Sequence, residues 1–319
     1  MRHFLIDTDT AGDDAVALIM LLRAEGICVD AVTTVAGNVP VEQATQNALA
    51  TIEVAGGSTP PVFQGSDRPL FRPLDRMNGV HGEDGMGDCD LIHPHLTPAP
   101  GHAVDEICRL AKAYPGELEI LMIGPATNIA LAFMKEPEAM RKVKRIYSMG
   151  TGGFAPGMET AVAEFNVYVD AEAYAAVLDS GVPVTIAGFD VCMGPTALSE
   201  EELRLLQREG NAAGKFAAAC NASLIEFTRQ RIGTALVPLP DPTAAAAAVW
   251  PETVVESEDR YCYVCTREEA TYGQVIPFLP DKEIKEQGFH RHAANAALIR
   301  KIDATRFKQR LMELLTRPL

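Results

Sequence analysis

The chain has little positive charge and no long apolar run, and these shortages exclude two classes of protein. Lys and Arg total 28 against 43 Asp and Glu, so the formal net charge is −15. Nucleic-acid-binding proteins present basic patches to the phosphate backbone, so we expect no nucleic-acid partner. No apolar run reaches the length of a membrane span, so we expect no membrane partner either.

The chain also lacks an obvious disulfide pattern and the common nucleotide-binding motifs. Its seven cysteines are odd in number and scattered, and the N-terminus enters a predicted strand without a signal-peptide segment, so we expect a cytoplasmic protein. Cys262 and Cys265 have CxxC spacing, but residues three apart in a strand face opposite sides, which favours ordinary thiols. Residues 149–153 are glycine-rich without the G-x-G-x-x-G spacing, and neither a Walker A motif nor a Gly-x-Ser-x-Gly elbow is present.

Strand and helix patterns alternate along the 319 residues. Predicted strands are Phe4–Asp7, Val29–Val35, Glu119–Ile123, Arg145–Met149, Val182–Ala187, Tyr261–Val264 and Ala297–Ile302. Predicted helices are Asp13–Ala24, Val41–Val54, Ala103–Ala113, Asn128–Met134, Ala171–Ser180, Glu200–Leu206 and Ala304–Leu315. This alternation predicts an α/β fold with a doubly wound, mostly parallel central sheet and helices on both faces.

We expect the whole chain, residues 1–319, to form a single domain, because no Pro/Gly/Ser linker divides it. Residues 64–101 are rich in Gly, Pro, Asp and His and show weak periodicity, and a loop of that length is usually functional. We therefore predict a lid in this segment. The segment near 190–240 looks mostly helical and is predicted to form a roof over the site.

The most informative feature is a cluster of aspartates in residues 6–14, which read IDTDTAGDD. The four carboxylates lie where a predicted strand ends and a helix begins. One aspartate before a helix is usually only a cap, and that explains Asp13 or Asp14 but leaves Asp7 and Asp9 without a reason. Like charges this close repel, whereas a hard cation such as Ca²⁺ or Mg²⁺ prefers carboxylate oxygens. The cluster therefore predicts a metal site or a catalytic site.

One alternative reading of this cluster is a Mg²⁺-dependent phosphatase of the haloacid-dehalogenase type. In that family a strand is followed by Asp-x-Asp-x-Thr, and its first Asp is the nucleophile. Asp7 and Asp9 fit that pattern. Ala11 stands where that family has Thr or Val, and the continuation Gly12-Asp13-Asp14 is not typical of it.

The segment from Asp7 to Ala15 resembles the opening motif of the nucleoside hydrolases, the inosine–uridine-preferring N-ribohydrolase group, with its glycine displaced by one position. Further stretches resemble that family in the same order along the chain. They are VAGN (35–38), HGEDG (81–85), IGPATNIA (123–130), AEFNVYVD (163–170) and Asp241-Pro242 before an Ala-rich helix. Each match is short, and their number and order make the resemblance specific.

The resemblance implies a Ca²⁺-dependent hydrolysis of the N-glycosidic bond of a ribonucleoside, which gives ribose and free base in nucleoside catabolism and salvage. It implies the following roles: Asp9, Asp14, Asp241 and the carbonyl of Ile123 as Ca²⁺ ligands, Asp9 also as the base that takes a proton from water, and Asp13, Asn38, Glu164 and Asn166 as ribose-binding residues. Relatives commonly form dimers or tetramers, so a homodimer or homotetramer is expected.

The sequence departs from the family at two positions that are expected to face the base. Pro240 stands where many members have a histidine, the proposed acid for the leaving base, and proline cannot transfer a proton. Met158 stands roughly where the family has an asparagine. His81 is a candidate substitute acid, although a lone loop histidine is more often a surface residue. A purine-preferring enzyme that activates its base by aromatic stacking would not need the histidine.

These departures leave a third interpretation, a nucleoside- or ribose-binding homologue without catalysis. The order of motifs along the whole chain favours the hydrolase over both alternatives. The sequence leaves open which base is released.

Overall fold

The computed structural model describes residues 1–74, 80–267, 269–280 and 292–318. Within these residues eleven strands are formed: β1 (Arg2–Thr8), β2 (Ile27–Thr34), β3 (Val62–Gln64), β4 (Leu118–Met122), β5 (Arg145–Met149), β6 (Val184–Ala187), β7 (Leu198–Ser199), β8 (Leu236–Val237), β9 (Val254–Val264), β10 (Val275–Phe278) and β11 (Ala296–Ile302). The α-helices are α1 (Gly12–Leu22), α2 (Val41–Ala55), α3 (Ala103–Ala113), α4 (Thr127–Lys135), α5 (Pro137–Met140), α6 (Phe165–Val169), α7 (Ala171–Leu178), α8 (Phe189–Cys192), α9 (Glu200–Glu209), α10 (Ala212–Cys220), α11 (Ala222–Ile232), α12 (Pro240–Val249) and α13 (Ala304–Thr316). Short 3₁₀ turns cover Gly194–Thr196, Pro251–Thr253 and Glu269–Thr271.

Nine of the described strands form one sheet in the order β10-β9-β11-β6-β5-β4-β1-β2-β3. The pairs from β3 across to β11 are parallel, and β9 pairs antiparallel with β11 and β10. The α/β fold with a mostly parallel sheet is therefore confirmed. A separate antiparallel pair joins β7 to β8.

The sheet has a hydrophobic core on each face, because alternate residues of a strand point to opposite sides. On β1, Phe4 and Ile6 contribute to the cluster that includes α1, α12 and α13, and Leu5 contributes to the cluster that includes α3, α4 and α7. This arrangement explains why β1 reads as a continuous apolar run rather than as an alternating pattern.

The strand order reverses at β1. From β1 the chain proceeds to β2 and β3 on one side, whereas β4, β5 and β6 lie on the other. In open α/β sheets a crevice forms at such a switch point, beyond the carboxyl ends of the strands. The loop after β1 carries Asp9 and the loop after β4 carries Ile123, so the fold places the aspartate motif at this crevice.

All the predicted strands and helices are present, with ends that differ by a few residues. At the antiparallel edge β9 begins at Val254 rather than at Tyr261, and the short strands β3, β7, β8 and β10 were not predicted. The first half of β9 is polar and largely exposed, so it lacks the apolar run that marks the buried strands. Cys262 is buried in β9, Cys265 follows it, and all seven cysteines are free thiols.

Two predicted segments have the expected secondary structure. Residues 65–101 form no helix or strand in the described part, and residues 75–79 of the predicted lid lie outside the described residues. The segment near 190–240 contains α9, α10 and α11. Within the described ranges, no helix combines the length and the apolar character that crossing a membrane requires.

Candidate active site

Three aspartates converge at the switch point. Asp13 and Asp14 lie in the first turn of α1, and Asp241 lies in the first turn of α12. One carboxylate oxygen from each lies within 4.8 Å of the others, and all three side chains are buried. Both helices direct their positive N-terminal ends toward the carboxylates, which favours negative charge there.

Burial and mutual repulsion work against ionisation of this cluster. Desolvation, followed by the charges of Asp9 and Asp13, raises the pKa of Asp14 well above its ordinary value. Desolvation, then the charges of Asp13 and Asp14, likewise raises the pKa of Asp241. Hydrogen bonds from the Thr8 hydroxyl (2.5 Å) and the Ala11 N–H (2.8 Å) to Asp14 offset only part of this effect. A divalent cation would relieve the repulsion, so the donor set fits a metal ion.

Asp9 lies beside this group at the end of β1 and is fully buried. Its Oδ2 accepts a hydrogen bond from the backbone N–H of Asn38 at 2.6 Å. Burial, followed by weaker effects that include the charge of Asp13, raises the pKa of Asp9 to about 7. A Cβ atom on Gly37 would lie 2.1 Å from Asp9 Oδ2, and one on Gly124 would lie 2.8 Å from the Asp9 backbone nitrogen. Glycine at these two positions lets the loops after β2 and β4 approach Asp9.

Asp7 has a different environment from the other aspartates of the motif. Its Oδ1 accepts hydrogen bonds from the Thr33 hydroxyl at 2.6 Å and from the Asn128 amide at 2.9 Å. Asn128 also receives a hydrogen bond from the Ser66 N–H and donates one to the Thr34 carbonyl. Asp7 therefore ties β1, β2 and α4 together behind the carboxylate cluster.

Glu164 and Asn166 approach the cluster from the segment after β5. Glu164 caps α6 by accepting hydrogen bonds from the N–H groups of Asn166 (2.9 Å) and Val167 (3.2 Å), and burial raises its pKa to about 7. The Asn166 amide donates to the Ile123 carbonyl at 2.9 Å. The geometry thus joins a predicted ribose-binding residue to a predicted metal-ligand carbonyl.

Four buried polar atoms of the aspartate motif and its surroundings have no hydrogen-bond partner among the described residues: Asp7 Oδ2, Asp9 Oδ1, Asn166 Oδ1 and His81 Nδ1. Buried polar atoms are nearly always satisfied, so such atoms point to a ligand, an ion or water. His81 Nε2 lies 3.8 Å from Asp13 Oδ1, and burial lowers the pKa of His81 although the charge of Asp13 opposes that effect. His81 is therefore a buried neighbour of the cluster and not a surface residue.

A cavity of about 270 Å³ opens from the carboxylate cluster. Its polar wall contains most of the residues singled out by the sequence: Asp13, Asn38, His81, Ile123, Glu164, Asn166 and Asp241. Asp9 and Asp14 lie behind this wall. The rest of the lining, called here the second wall, is largely apolar and includes Val80, Met158, Phe189, Met193, Leu224, Phe227, Thr228, Arg231, Pro238 and Pro240.

The sequence identified Met158 and Pro240 on this second wall and missed most of the rest. Leu224, Phe227, Thr228 and Arg231 follow the spacing of one helix face on α11. That spacing was a signal, but a helix face of this kind usually packs into a core. Only the tertiary structure shows that this face borders a cavity.

The family model for inosine-uridine preferring nucleoside hydrolases matches residues 4–309. The chain belongs to this family. The hydrolase is 33% identical to the pyrimidine-specific ribonucleoside hydrolase RihA of Citrobacter koseri, an alignment that covers 85% of this chain and 86% of that protein. It is 35% identical to uridine nucleosidase 1 of Arabidopsis thaliana, over 79% of this chain and 75% of that one.

Solved structures agree with the family match. A plant nucleoside hydrolase, PpNRh1, superposes with a TM-score of 0.92 at 28% identity and covers 99% of both chains. A purine-preferring ribonucleoside hydrolase from Gardnerella vaginalis superposes with a TM-score of 0.88 at 26% identity, over 99% of this chain and 98% of that one. The activity that the sequence resemblance implied is confirmed: the protein is a hydrolase that acts on the N-glycosyl bonds of ribonucleosides. This assignment also decides against the phosphatase.

Proposed function

We propose that the enzyme hydrolyses ribonucleosides to ribose and free base with Ca²⁺ as its cofactor. The observation that carries the proposal is the cluster of buried carboxylates at the N-terminal ends of α1 and α12, which opens into a cavity with polar and apolar lining residues. Its polar wall suits a sugar and its apolar wall suits a planar base.

The donor set favours a hard cation of the size of Ca²⁺. We assign Asp9, Asp14, Asp241 and the carbonyl oxygen of Ile123 as ligands, and all of these donors are oxygens. Ca²⁺ takes six to eight oxygens, so four protein donors leave places for water and for two sugar hydroxyls. One carboxylate oxygen of Asp13 lies within 4.8 Å of those of Asp14 and Asp241, and we keep Asp13 as a sugar-binding residue because it lines the cavity.

Ribose recognition would use the remaining polar wall. Asp13 and Asn38 are placed for the 2′-hydroxyl side, Asn166 for the 3′-hydroxyl and Glu164 for the 5′-hydroxyl. The unpaired Asn166 Oδ1 is available to accept a hydroxyl hydrogen bond, since the amide nitrogen is already held by Ile123. Buried carboxylates around the ring also stabilise the positive charge that develops as the glycosidic bond breaks.

Asp9 is proposed as the base that takes a proton from the attacking water. Its unpaired Oδ1 is free to accept that proton, and a carboxylate whose pKa is raised by burial is a better base than an exposed one. When bound, the cation would orient the sugar diol and lower the pKa of the water. His81 remains the candidate proton donor to the departing base, because its Nδ1 is buried and unpaired at the cavity wall.

We further propose that the enzyme acts in the cytoplasm in nucleoside salvage, as a homodimer or homotetramer. Seven free thiols support a reducing compartment. Residues 1–319 are proposed to form one domain, in which the segment 64–101 serves as a lid and the helices near 190–240 as a roof. Val80 and His81 from the first segment and Leu224, Phe227, Thr228 and Arg231 of α11 all line the cavity, which supports these roles.

The test is to assay release of reducing sugar from inosine, adenosine, uridine and cytidine, and release of phosphate from sugar phosphates, each with Ca²⁺ and with chelator. We expect sugar release that chelator abolishes and Ca²⁺ restores. Release of phosphate alone would contradict the proposed reaction. Activity that is unchanged in chelator would contradict the proposed Ca²⁺ cofactor.

A further inference from the structure

A second cluster of metal-ligating side chains lies at the amino end of the sheet, away from the cavity. His3 of β1 and Cys28 and Asp30 of β2 each offer one donor atom, and these three atoms lie within 4.8 Å of one another. Asp9 follows His3 by six positions, which corresponds to about 20 Å at the rise of an extended strand. The cluster is therefore separate from the carboxylates at the other end of the strands.

The pairing of β1 with β2 brings the three side chains together. His3 pairs with Cys28, and residues that pair across strands direct their side chains to the same face of the sheet. The register shifts after Phe4, and Asp30 is left as an extra residue without a partner on β1. A bulge of this kind redirects the side chain at the extra position. Here it lets the Asp30 carboxylate contact both of the other groups.

The distances within the cluster are close to those of a tetrahedral metal site. His3 Nδ1 lies 2.9 Å from Asp30 Oδ2, and the Cys28 thiol donates to Asp30 Oδ1 at 3.8 Å. Zn²⁺ binds nitrogen and oxygen at about 2.0–2.1 Å and sulfur at about 2.3 Å, so neighbouring ligand atoms of a tetrahedron lie about 3.3–3.5 Å apart. Both observed spacings differ from these values by about half an ångström or less. The thiol bonds to the carboxylate rather than to the imidazole, so the three groups do not form the thiol–imidazole pair of a cysteine nucleophile.

The surroundings of the cluster favour a bound cation. The His3 ring stacks on Tyr114, the C-terminal cap of α3, with ring centres 3.9 Å apart, and the C-terminal end of a helix attracts positive charge. Arg109 of α3 is held by Glu106 at 2.7 and 2.6 Å. Among the described lysine, arginine and histidine side chains, only His3 pairs with Asp30. The side chains of His3 and Asp30 are 22% and 12% exposed, so an ion can reach them from solvent.

We propose that His3, Cys28 and Asp30 bind Zn²⁺, with water in the fourth position, and that the ion links the amino ends of β1 and β2. Ca²⁺ and Mg²⁺ prefer oxygen ligands, whereas Zn²⁺ accepts nitrogen, sulfur and oxygen together. On binding, the thiol and the imidazole nitrogen give up the protons that they share with Asp30, and these protons pass to solvent. The site differs from the carboxylate cluster in its donor atoms and does not depend on the nucleoside reaction.

The experiment titrates the full-length enzyme, without an affinity tag, with Co²⁺ and then with Zn²⁺. A cobalt–thiolate bond gives a near-ultraviolet charge-transfer band that oxygen ligands do not give, so the band reports a cysteine ligand. We expect a band that saturates at one Co²⁺ per chain and that Zn²⁺ removes. Cys28→Ser should lose the band. Asp30→Asn should weaken Zn²⁺ binding by more than about 100-fold, because loss of an outer partner of a metal ligand alone costs about 10- to 100-fold.

Cys265→Ser is the matched control. Cys265 is also a partly exposed free thiol, but among the described residues it belongs to no group of three metal-ligating side chains. We expect this variant to keep the band and the Zn²⁺ affinity of the wild type. Asp30→Asn preserves side-chain size, so it decides the question if Cys28→Ser does not fold. A wild type without the band, a Cys28→Ser variant with the full band, or an Asp30→Asn variant with unchanged Zn²⁺ affinity would overturn the proposal.

Discussion

Buried carboxylates lie at both ends of the parallel strands, but their electrostatic surroundings are opposite. At the amino end, Glu119 of β4 is 1% exposed and forms a two-point ion pair with Arg2 of β1, at 2.8 and 2.6 Å. At the carboxyl end, Asp9, Asp14 and Asp241 are equally buried, but their surroundings add negative charge. Burial opposes ionisation at both ends, and the difference is whether a cation is supplied by the protein.

The pKa values express this contrast. Burial raises the pKa of Glu119, but the hydrogen bonds and charges of Arg2 and Lys144 outweigh it, so the net pKa is lowered. At the carboxyl end, desolvation and neighbouring carboxylates act in the same direction, and the pKa values rise. The first arrangement stabilises the fold by itself. The second keeps a binding site that is complete only with a ligand.

The largest effect should come from Asp241→Asn, which removes one charge from the cluster at constant size. We expect kcat/KM for nucleosides to fall by about 1000-fold, since one preorganised electrostatic contact is worth that order of magnitude. In chelator the variant should unfold at a higher temperature than the wild type, because repulsion with Asp13 and Asp14 is relieved. Steady-state kinetics and thermal unfolding measure both effects. Glu138→Gln, an exposed change on α5, is the control, and a fully active Asp241→Asn would contradict the assignment.

Calcium should stabilise the folded enzyme by supplying the missing charge. At a Ca²⁺ concentration 100 times its dissociation constant, the free energy of unfolding should rise by about 3 kcal/mol. Thermal scans with Ca²⁺ and with chelator test this. The rise in the free energy of unfolding should be much smaller in Asp241→Asn than in the wild type. In Glu138→Gln it should equal that of the wild type. An equal rise in Asp241→Asn would place the bound Ca²⁺ elsewhere.

Glu119→Gln should affect stability and spare activity. It removes the charge that holds Arg2, Lys144 and the Tyr147 hydroxyl. We expect a loss of about 2 kcal/mol, at the modest end for a charged hydrogen-bond network because Arg2 is partly exposed and can be hydrated. Urea unfolding measures it, with kcat/KM expected to stay within twofold of the wild type. A loss of activity without a loss of stability would break the contrast between the two ends.

His81→Gln tests whether a proton reaches the departing base from the buried wall. We expect kcat for uridine and inosine to fall by about 100-fold, the lower end of the range for a general acid. Hydrolysis of p-nitrophenyl β-ribofuranoside should be unchanged, because its leaving group needs no proton. An equal fall on both substrates would indicate that His81 only supports Asp13.

The smallest effect concerns pH and the Glu119 ion pair. Since the pKa of Glu119 is lowered in the folded state, its contribution to stability is fully present above about pH 4.5, the ordinary value for glutamate, and is lost as the pH falls through the folded pKa. The difference in unfolding free energy between the wild type and Glu119→Gln should therefore be constant from pH 6 to 8 and shrink below about pH 4.5. Urea titrations at each pH measure it, and a difference that grows in acid would contradict the sign of the shift.

The sequence by itself determined the fold class and most of the polar wall of the cavity. Apolar runs that alternate with amphipathic helices leave few arrangements other than a doubly wound sheet. The aspartate motif could be recognised as a functional site because a strand and a single helix cap do not explain four carboxylates in eight positions. Its position after β1 then fixed its place at the carboxyl edge, where parallel strands bring distant motifs such as Asn38 and Ile123 together.

Only the tertiary structure shows the contacts of each aspartate and which helix face lines the cavity. Asp7 is held by Thr33 and Asn128 behind the site, whereas Asp13 and Asp14 meet Asp241, which is distant in the sequence. Local spacing carries no information on such long-range partners. The face of α11 that ends in Arg231 has the period of a core helix, and a period does not distinguish packing against a core from packing beside a cavity.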